Sequence, residues 1–152
     1  RGVDIEFEKL RSVDSYSGFR AYQRSKLANV LFSTELARRL DRTDRSISSN
    51  AFHPGAIPGS GFARFLPGPL PRLFAALGRL PMTTTVEEGA ATAVYLAASP
   101  AVEGTSGRYF SDCEPETPSK AARDTTTQRR LWEESATLLG IDEPLAESDG
   151  DA

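Results

Sequence analysis

The residues of this chain whose types and spacing could do chemistry are a tyrosine and a lysine one helical turn apart. Tyr22 and Lys26 stand four positions apart in the segment AYQRSKLAN, so on a helix their side chains share one face. A free phenol, with a pKa near ~10, is a poor acid or base at neutral pH, and a cation beside it favours the phenolate. The pair therefore predicts general acid–base catalysis by Tyr22, assisted by the charge of Lys26.

The segment around this pair predicts a long amphipathic helix from Ala21 to Leu40. Strong helix formers dominate it, and neither Pro nor Gly interrupts it. Its apolar residues recur at helical spacing along one broad face, namely Ala21, Leu27, Ala28, Leu31, Phe32, Leu36 and Leu40. A short strand is predicted at Ser46–Phe52, ended by the sequence His53-Pro54-Gly55.

A second helix is predicted from Thr83 to Ser99. Thr85 followed three residues later by Glu88 is a capping-box pattern, and Pro100 stands just beyond the end. We expect its apolar face to consist of Val86, Ala90, Val94, Tyr95 and Ala98. A last strand is predicted at Arg108–Ser111.

The chain ends in a third predicted helix, Thr125–Leu139, with Gly140 as its C-cap. Between the first strand and the second helix lies a Pro- and Gly-rich excursion, Ala56–Pro81, with a possible short helix at Leu70–Leu80. Loops of this length are often lids or binding segments. The part from Pro67 to Pro81 is either a substrate cover or a plain surface loop, and contact with a membrane surface is possible but not predicted.

The alternation of helices and strands is typical of α/β architecture. We expect residues 1–141 to form part of one domain and residues 142–152, which are acidic, to form a solvated tail. The strands are too few for a complete doubly wound sheet, so we expect sheet-forming residues upstream of Arg1.

Composition excludes several classes of function. The 152 residues carry a net charge of −3 without a basic patch, so we do not expect a nucleic-acid partner. A single cysteine, Cys113, and a single histidine, His53, exclude an intrachain disulfide and a Cys/His zinc site. The single cysteine fits a reducing compartment, so we expect the cytoplasm. For His53 we favour a structural role at the strand end over one as base or ligand. No apolar run reaches about 18 residues, so we expect no membrane span.

Taken in order, the motifs resemble the second half of a short-chain dehydrogenase/reductase of the retinol-dehydrogenase-like branch. The motifs are AYQRSKLAN, ELARRL, HPGAI, EEGAATAVYLA, YFSDC and RRLWE. The resemblance implies a Rossmann-type, doubly wound parallel sheet and hydride transfer between NADP or NAD and a small alcohol or carbonyl substrate, with an apolar substrate as one option. It leaves the oligomeric state open, with a homo-oligomer possible.

The resemblance also implies roles for individual residues. Tyr22 becomes the general acid for carbonyl reduction or the base for alcohol oxidation. Lys26 favours the Tyr22 phenolate and hydrogen-bonds the nicotinamide ribose. The backbone of Pro54, Gly55 and Ile57, in the loop after the strand, packs against and bonds the nicotinamide.

Two departures from the family pattern limit these expectations. Gly59 stands where the family has a threonine that contacts the carboxamide, and Ser60 could supply that hydroxyl one position later. The glycine-rich phosphate loop is absent from this sequence, and we expect the family's catalytic serine to precede Arg1. The alternatives are a non-catalytic nucleotide-binding Rossmann protein, or an inactive fragment of a dehydrogenase.

Overall fold

The computed structural model describes residues 3–12, 14–43, 45–55, 57, 68–69, 72, 85–142 and 145. In chain order, its helices and strands are α1 (Gly18–Leu40), β1 (Ala51–His53), α2 (Val86–Ala98), β2 (Tyr109–Ser111), β3 (Glu114–Glu116) and α3 (Thr125–Leu139). Within these residues, no helix is both long and apolar enough to span a bilayer. The predicted helix at Leu70–Leu80 and most of the acidic tail lie outside them.

The three strands form one mixed sheet in the order β1-β2-β3. β1 pairs in parallel with β2, with Ala51 opposite Tyr109 and His53 opposite Ser111. β2 turns back through Asp112 and Cys113, at φ 50° and 64°, into the antiparallel β3. The parallel pair, with α1 before it and α2 between its strands in sequence, confirms the α/β class and corresponds to part of a Rossmann-type domain.

Both predicted strands are present, but each is shorter than predicted or has shifted bounds: β1 is Ala51–His53 and β2 is Tyr109–Ser111. Only the end of the predicted Ser46–Phe52 strand forms a ladder, because Ser49 and Asn50 bond to a neighbouring turn through side-chain and backbone groups instead. β3 was not predicted at all. Its sequence, Glu-Pro-Glu, has no apolar alternation, and its proline is tolerated because β3 lies at the edge of the described sheet.

The predicted helix around Tyr22 is confirmed as α1, which begins three residues earlier, at Gly18. Leu31, Ala37 and Leu40 are buried against the rest of the chain, whereas Phe32 stays 41% exposed. Phe32 nevertheless stacks on Trp132 of α3, with ring centroids 5.1 Å apart. Trp132, only 5% exposed, is therefore a packing residue between α3 and α1.

A buried carboxylate joins α1 to α3 in a way the sequence did not indicate. Glu35 is only 3% exposed, accepts a 2.8 Å hydrogen bond from Arg39 Nε and pairs with Arg38. Arg38 also donates to the buried Gln128, whose amide donates to the Ala122 carbonyl at 2.7 Å. We call these side chains, Glu35, Arg38, Arg39 and Gln128, the Glu35 network. It satisfies polar groups that would otherwise oppose the packing of α1 on α3.

The helix predicted at Thr83–Ser99 is present as α2, and the capping box between Thr85 and Glu88 is formed by both of its hydrogen bonds. The predicted apolar face is right only at Tyr95, which packs against Phe110, and wrong at Val86, Ala90, Val94 and Ala98, which are exposed. Val86 and Val94 are 68% and 63% exposed, and the buried residues are Gly89 and Thr92. The helix packs through its smallest side chains because they allow close backbone approach, which hydrophobic periodicity does not reveal.

Removing the carboxylate of the Glu35 network should destabilise the protein. Glu35→Ala removes the buried carboxylate that accepts from both Arg38 and Arg39, so we expect the free energy of unfolding to fall by about 2 kcal/mol in urea titrations. Glu133→Ala, at an exposed position of α3, is the control and should cost less than about 0.5 kcal/mol. Equal effects of the two variants would show that the network contributes nothing.

The N-cap of α3 should make stability depend on pH. A hydrogen bond from the Thr127 side chain, together with the Thr126 and Thr127 amides, holds the pKa of Asp124 below its usual value of 3.8. The folded state therefore favours the ionised cap, and this contribution is present above pH 3.8 and is lost as pH falls towards the lower folded pKa. Asp124→Asn keeps the acceptor oxygen but not the charge. The melting-temperature difference between wild type and this variant should shrink on acidification, and a constant difference would contradict the assignment.

Candidate active site

Tyr22 and Lys26 lie together on the amino-terminal half of α1. The Lys26 ammonium sits over the Tyr22 ring, 5.5 Å from its centroid, so the four-residue spacing brings the two side chains together as expected. Tyr22 is half-buried and Lys26 is exposed. Ser25 donates a 2.7 Å hydrogen bond to the Tyr22 carbonyl. The arrangement places an exposed cation against the electron-rich face of a half-buried phenol.

Arg24, which lies between Tyr22 and Lys26 in the sequence, is paired with an acid. Arg24 pairs with Glu6, which also bonds to Lys9 at 2.8 Å. The Lys9 hydrogen bond, with smaller effects from the charges of Arg24 and Lys9, holds the pKa of Glu6 below its ordinary value despite some desolvation. Glu6 therefore stays ionised and pairs with both Arg24 and Lys9.

The loop after β1 begins at its carboxyl end. Pro54 is exposed, and Gly55 takes a left-handed conformation at φ 76°, which glycine adopts without a steric penalty. The Gly55 amide donates to Nδ1 of His53 at 3.0 Å, so the imidazole folds back onto its own chain. This contact supports the structural role predicted for His53. Gly59 and Ser60, the positions at which the family pattern is altered, lie outside the described residues.

One helix covers the carboxyl ends of both parallel strands. Gly89 of α2 lies so close to the loop that a Cβ built on it would be 2.2 Å from Ile57 Cδ1 and 3.1 Å from the Pro54 carbonyl oxygen. Three residues on, Thr92 accepts a 3.1 Å hydrogen bond from the Cys113 amide, just after β2. Sequence reasoning missed Gly89, although a glycine inside a helical pattern is the signal that indicates close packing.

The opposite end of the parallel pair is fixed by Asn50. Its side chain donates to the Thr105 carbonyl at 2.8 Å and accepts from the Arg108 amide at 3.0 Å. The neighbouring Ser49 hydroxyl bonds to that of Ser33 on α1 at 2.9 Å. These bonds tie the entry of β1 both to β2 and to the helix that carries Tyr22, so they set where the loop after β1 begins.

The structure thus brings the predicted residues together in two groups. Tyr22 and Lys26 form one group, and Pro54 and Ile57 form the other, with α1 packed against β1 between them. Another half-buried phenol, Tyr109, is in a different setting, because desolvation, and then the charge of Glu116, raise its pKa. In the described part of the chain, no cluster of His, Cys, Asp and Glu is arranged to hold a metal ion.

Curated proteins of known family are similar to the chain over most of its length. Retinol dehydrogenase 14 of Homo sapiens is 44% identical over 140 residues, which make up 91% of this chain and 40% of that protein. The WW domain-containing oxidoreductase of Pongo abelii is 42% identical over 89% of the chain and 32% of its own length. The chloroplastic short-chain dehydrogenase TIC 32 B of Brassica napus is 37% identical, over 89% and 41%.

These comparisons have a limited span. The chain covers about 40% of the length of the retinol dehydrogenases it matches. No family model matches the chain. The 140 residues aligned with human retinol dehydrogenase 14 include both groups of candidate residues, Tyr22 with Lys26 and Pro54 with Ile57.

Asn50 offers a test of how the site is positioned. Asn50→Ala removes both side-chain hydrogen bonds to the turn before β2, so we expect the free energy of unfolding to fall by about 1–2 kcal/mol. Asn29→Ala, at an exposed position of α1, should change it by less than about 0.5 kcal/mol. Urea titration followed by circular dichroism measures both, and an Asn50 variant as stable as the control would refute the positioning role.

Proposed function

Because the chain is related by sequence to retinol dehydrogenases and other short-chain dehydrogenases/reductases, we propose that its protein is an NAD(P)-dependent oxidoreductase that interconverts an alcohol and a carbonyl compound. The observation that carries the proposal is the Lys26 ammonium over the Tyr22 ring, within the motif AYQRSKLAN. The other motifs of the resemblance follow in the expected order. The resemblance itself is confirmed by the relatives' similarity.

In the proposed mechanism, Tyr22 moves the proton. During reduction its hydroxyl donates a proton to the carbonyl oxygen, and during oxidation its phenolate accepts the proton of the alcohol. A phenol is poor at either task in water, so a stabilising charge is required. Lys26 supplies that charge from one helical turn away and favours the phenolate when the proton leaves.

The nicotinamide cofactor, when bound, supplies or accepts the hydride. We propose that Lys26 and Tyr22 hold its ribose side, and that Pro54, Gly55 and Ile57, with Ser60, hold its ring. The residues fit such a group, since the loop leaves the carboxyl end of a parallel strand, where α/β proteins place nucleotides. At Gly55, φ is 76°, and the lack of a Cβ keeps a side chain out of this part of the loop.

The proposed substrate is a small alcohol or carbonyl compound of apolar character. The names of the human and mouse relatives, retinol dehydrogenase, support this proposal, because retinol is an apolar alcohol. The single cysteine supports a reducing location such as the cytoplasm. A second candidate function, nucleotide binding without turnover, is favoured by Gly59, which cannot give the threonine hydroxyl of the family pattern.

Replacing the phenol separates the two functions. In the protein that carries this chain, Tyr22→Phe should lower kcat by about 10²- to 10⁴-fold, since a general acid–base group is removed. Tyr16→Phe, at a tyrosine that is 71% exposed six residues upstream, is the matched control and should leave kcat unchanged. Stopped-flow measurement of NAD(P)H absorbance against a panel of apolar aldehydes measures both variants.

Each alternative predicts a different outcome. Equal kcat in wild type and Tyr22→Phe would refute the role of Tyr22. Enhanced NADPH or NADH fluorescence on binding, without turnover on any carbonyl compound, would favour the nucleotide-binding function. A chain that neither binds the cofactor nor turns over substrate would correspond to an inactive fragment.

A further inference from the structure

We propose that Gly89 is a positioning residue that sets the loop after β1 against the cofactor, an inference that rests on the proposed function. The lack of a side chain at Gly89 allows α2 to lie directly on the loop. The Ile57 side chain then fills the space in which a Cβ of residue 89 would stand. Gly89 and Ile57 thus form a matched pair, in which the size of one residue limits the size of the other.

Steric contact, not backbone conformation, explains the glycine. Gly89 lies inside α2 and is not among the residues with positive φ, so any L-residue could adopt its backbone conformation. Glycine is nevertheless among the poorest helix formers. A Cβ at this position would be 2.2 Å from Ile57 Cδ1, 3.0 Å from its Cγ1 and 3.1 Å from the Pro54 carbonyl oxygen. Carbon atoms do not approach to 2.2 Å without movement, so one of the two partners must yield.

The contacts of α2 indicate that the loop, and not the helix, would yield. One turn beyond Gly89, Thr92 is 2% exposed and accepts a hydrogen bond from the Cys113 amide at the end of β2. A further turn along, Tyr95 packs against the buried Phe110, with ring centroids 6.4 Å apart. These contacts hold the helix to β2. The loop after β1 has only half-buried and exposed residues at Pro54, Gly55 and Ile57, so it is the softer partner.

The consequence concerns cofactor alignment. A Cβ at position 89 would displace Ile57 Cδ1 and crowd the Pro54 carbonyl oxygen, and both belong to the loop that we propose holds the nicotinamide ring. Displacements of about 1 Å in groups that align reactants can cost up to about 10²-fold in rate. A substitution at position 89 should therefore change the KM and Kd for the cofactor. It should leave proton transfer by Tyr22 unaltered.

A double-mutant cycle tests this proposal in the protein that carries the chain. Gly89→Ala should raise the KM and Kd for NAD(P)H by about 10-fold or more, although alanine is the better helix former. Ile57→Val removes Cδ1, the atom nearest to the added Cβ. In the Ile57→Val background, the effect of Gly89→Ala should therefore be at least about five-fold smaller. Ala90→Ser, at the exposed neighbouring position of α2, is the control and should leave cofactor binding unchanged.

The readouts separate positioning from simple destabilisation. The pH profile of kcat should be the same in wild type and Gly89→Ala, and the cofactor effect should be present far below the melting temperature. Cofactor binding by Gly89→Ala equal to that of wild type, or an effect that is just as large in the Ile57→Val background, would overturn the inference. If Gly89→Ala does not fold, the double variant Gly89→Ala with Ile57→Val provides the test. A folded double variant supports the pairing of Gly89 with Ile57, and an unfolded one refutes it. Lack of cofactor binding by wild type would instead overturn the proposed function.

Discussion

The close contact of α2 with the end of β1 is the constraint on which the candidate site depends. β1 is only three residues long, and its parallel ladder with β2 cannot by itself fix the direction of the chain that leaves it. Gly89 supplies the missing constraint from one side, because a backbone can approach another closely only where no Cβ intervenes. At the other end, Asn50 fixes the entry of β1 through two hydrogen bonds. The loop between these constraints is the segment proposed to meet the cofactor.

The position of Tyr22 depends on a different kind of interaction. α1 is held to α3 near its carboxyl end by the Glu35 network and by the stacking of Phe32 on Trp132. A guanidinium that must lose water on burial costs free energy unless a carboxylate replaces the lost hydrogen bonds, and Glu35 does this for two arginines. Hydrogen bonds are more directional than apolar contacts. The directional hydrogen bonds of the network select one rotation, and this rotation determines where the Tyr22 face points.

Local features of the sequence predicted much of the fold. Helix ends were predictable because caps are encoded within a few residues, as at Thr85 with Glu88 and at Gly140. The pairing of Tyr22 with Lys26 follows from helical geometry alone. The resemblance to a family then supplied the proposed chemistry. The features that the sequence did not predict depend on residues distant in sequence. They are the buried face of α2, the burial of Glu35 and the pairing of β3. Hydrophobic periodicity ranks faces by apolarity, whereas α2 packs through Gly89 and Thr92, which allow the closest approach.

The continuity of α1 has a mechanical consequence. The helix is unbroken from Gly18 to Leu40, so Lys26 and Glu35 belong to one stiff rod. Lys26 and Glu35 are nine positions apart, roughly 13 Å at 1.5 Å per residue, so a tilt of about 5° about Glu35 would carry Lys26 sideways by roughly 1 Å. The helix therefore moves as one rigid body about its contact with α3 at Glu35. Substitutions near Glu35 can therefore shift the position of the Lys26 amine without contacting it.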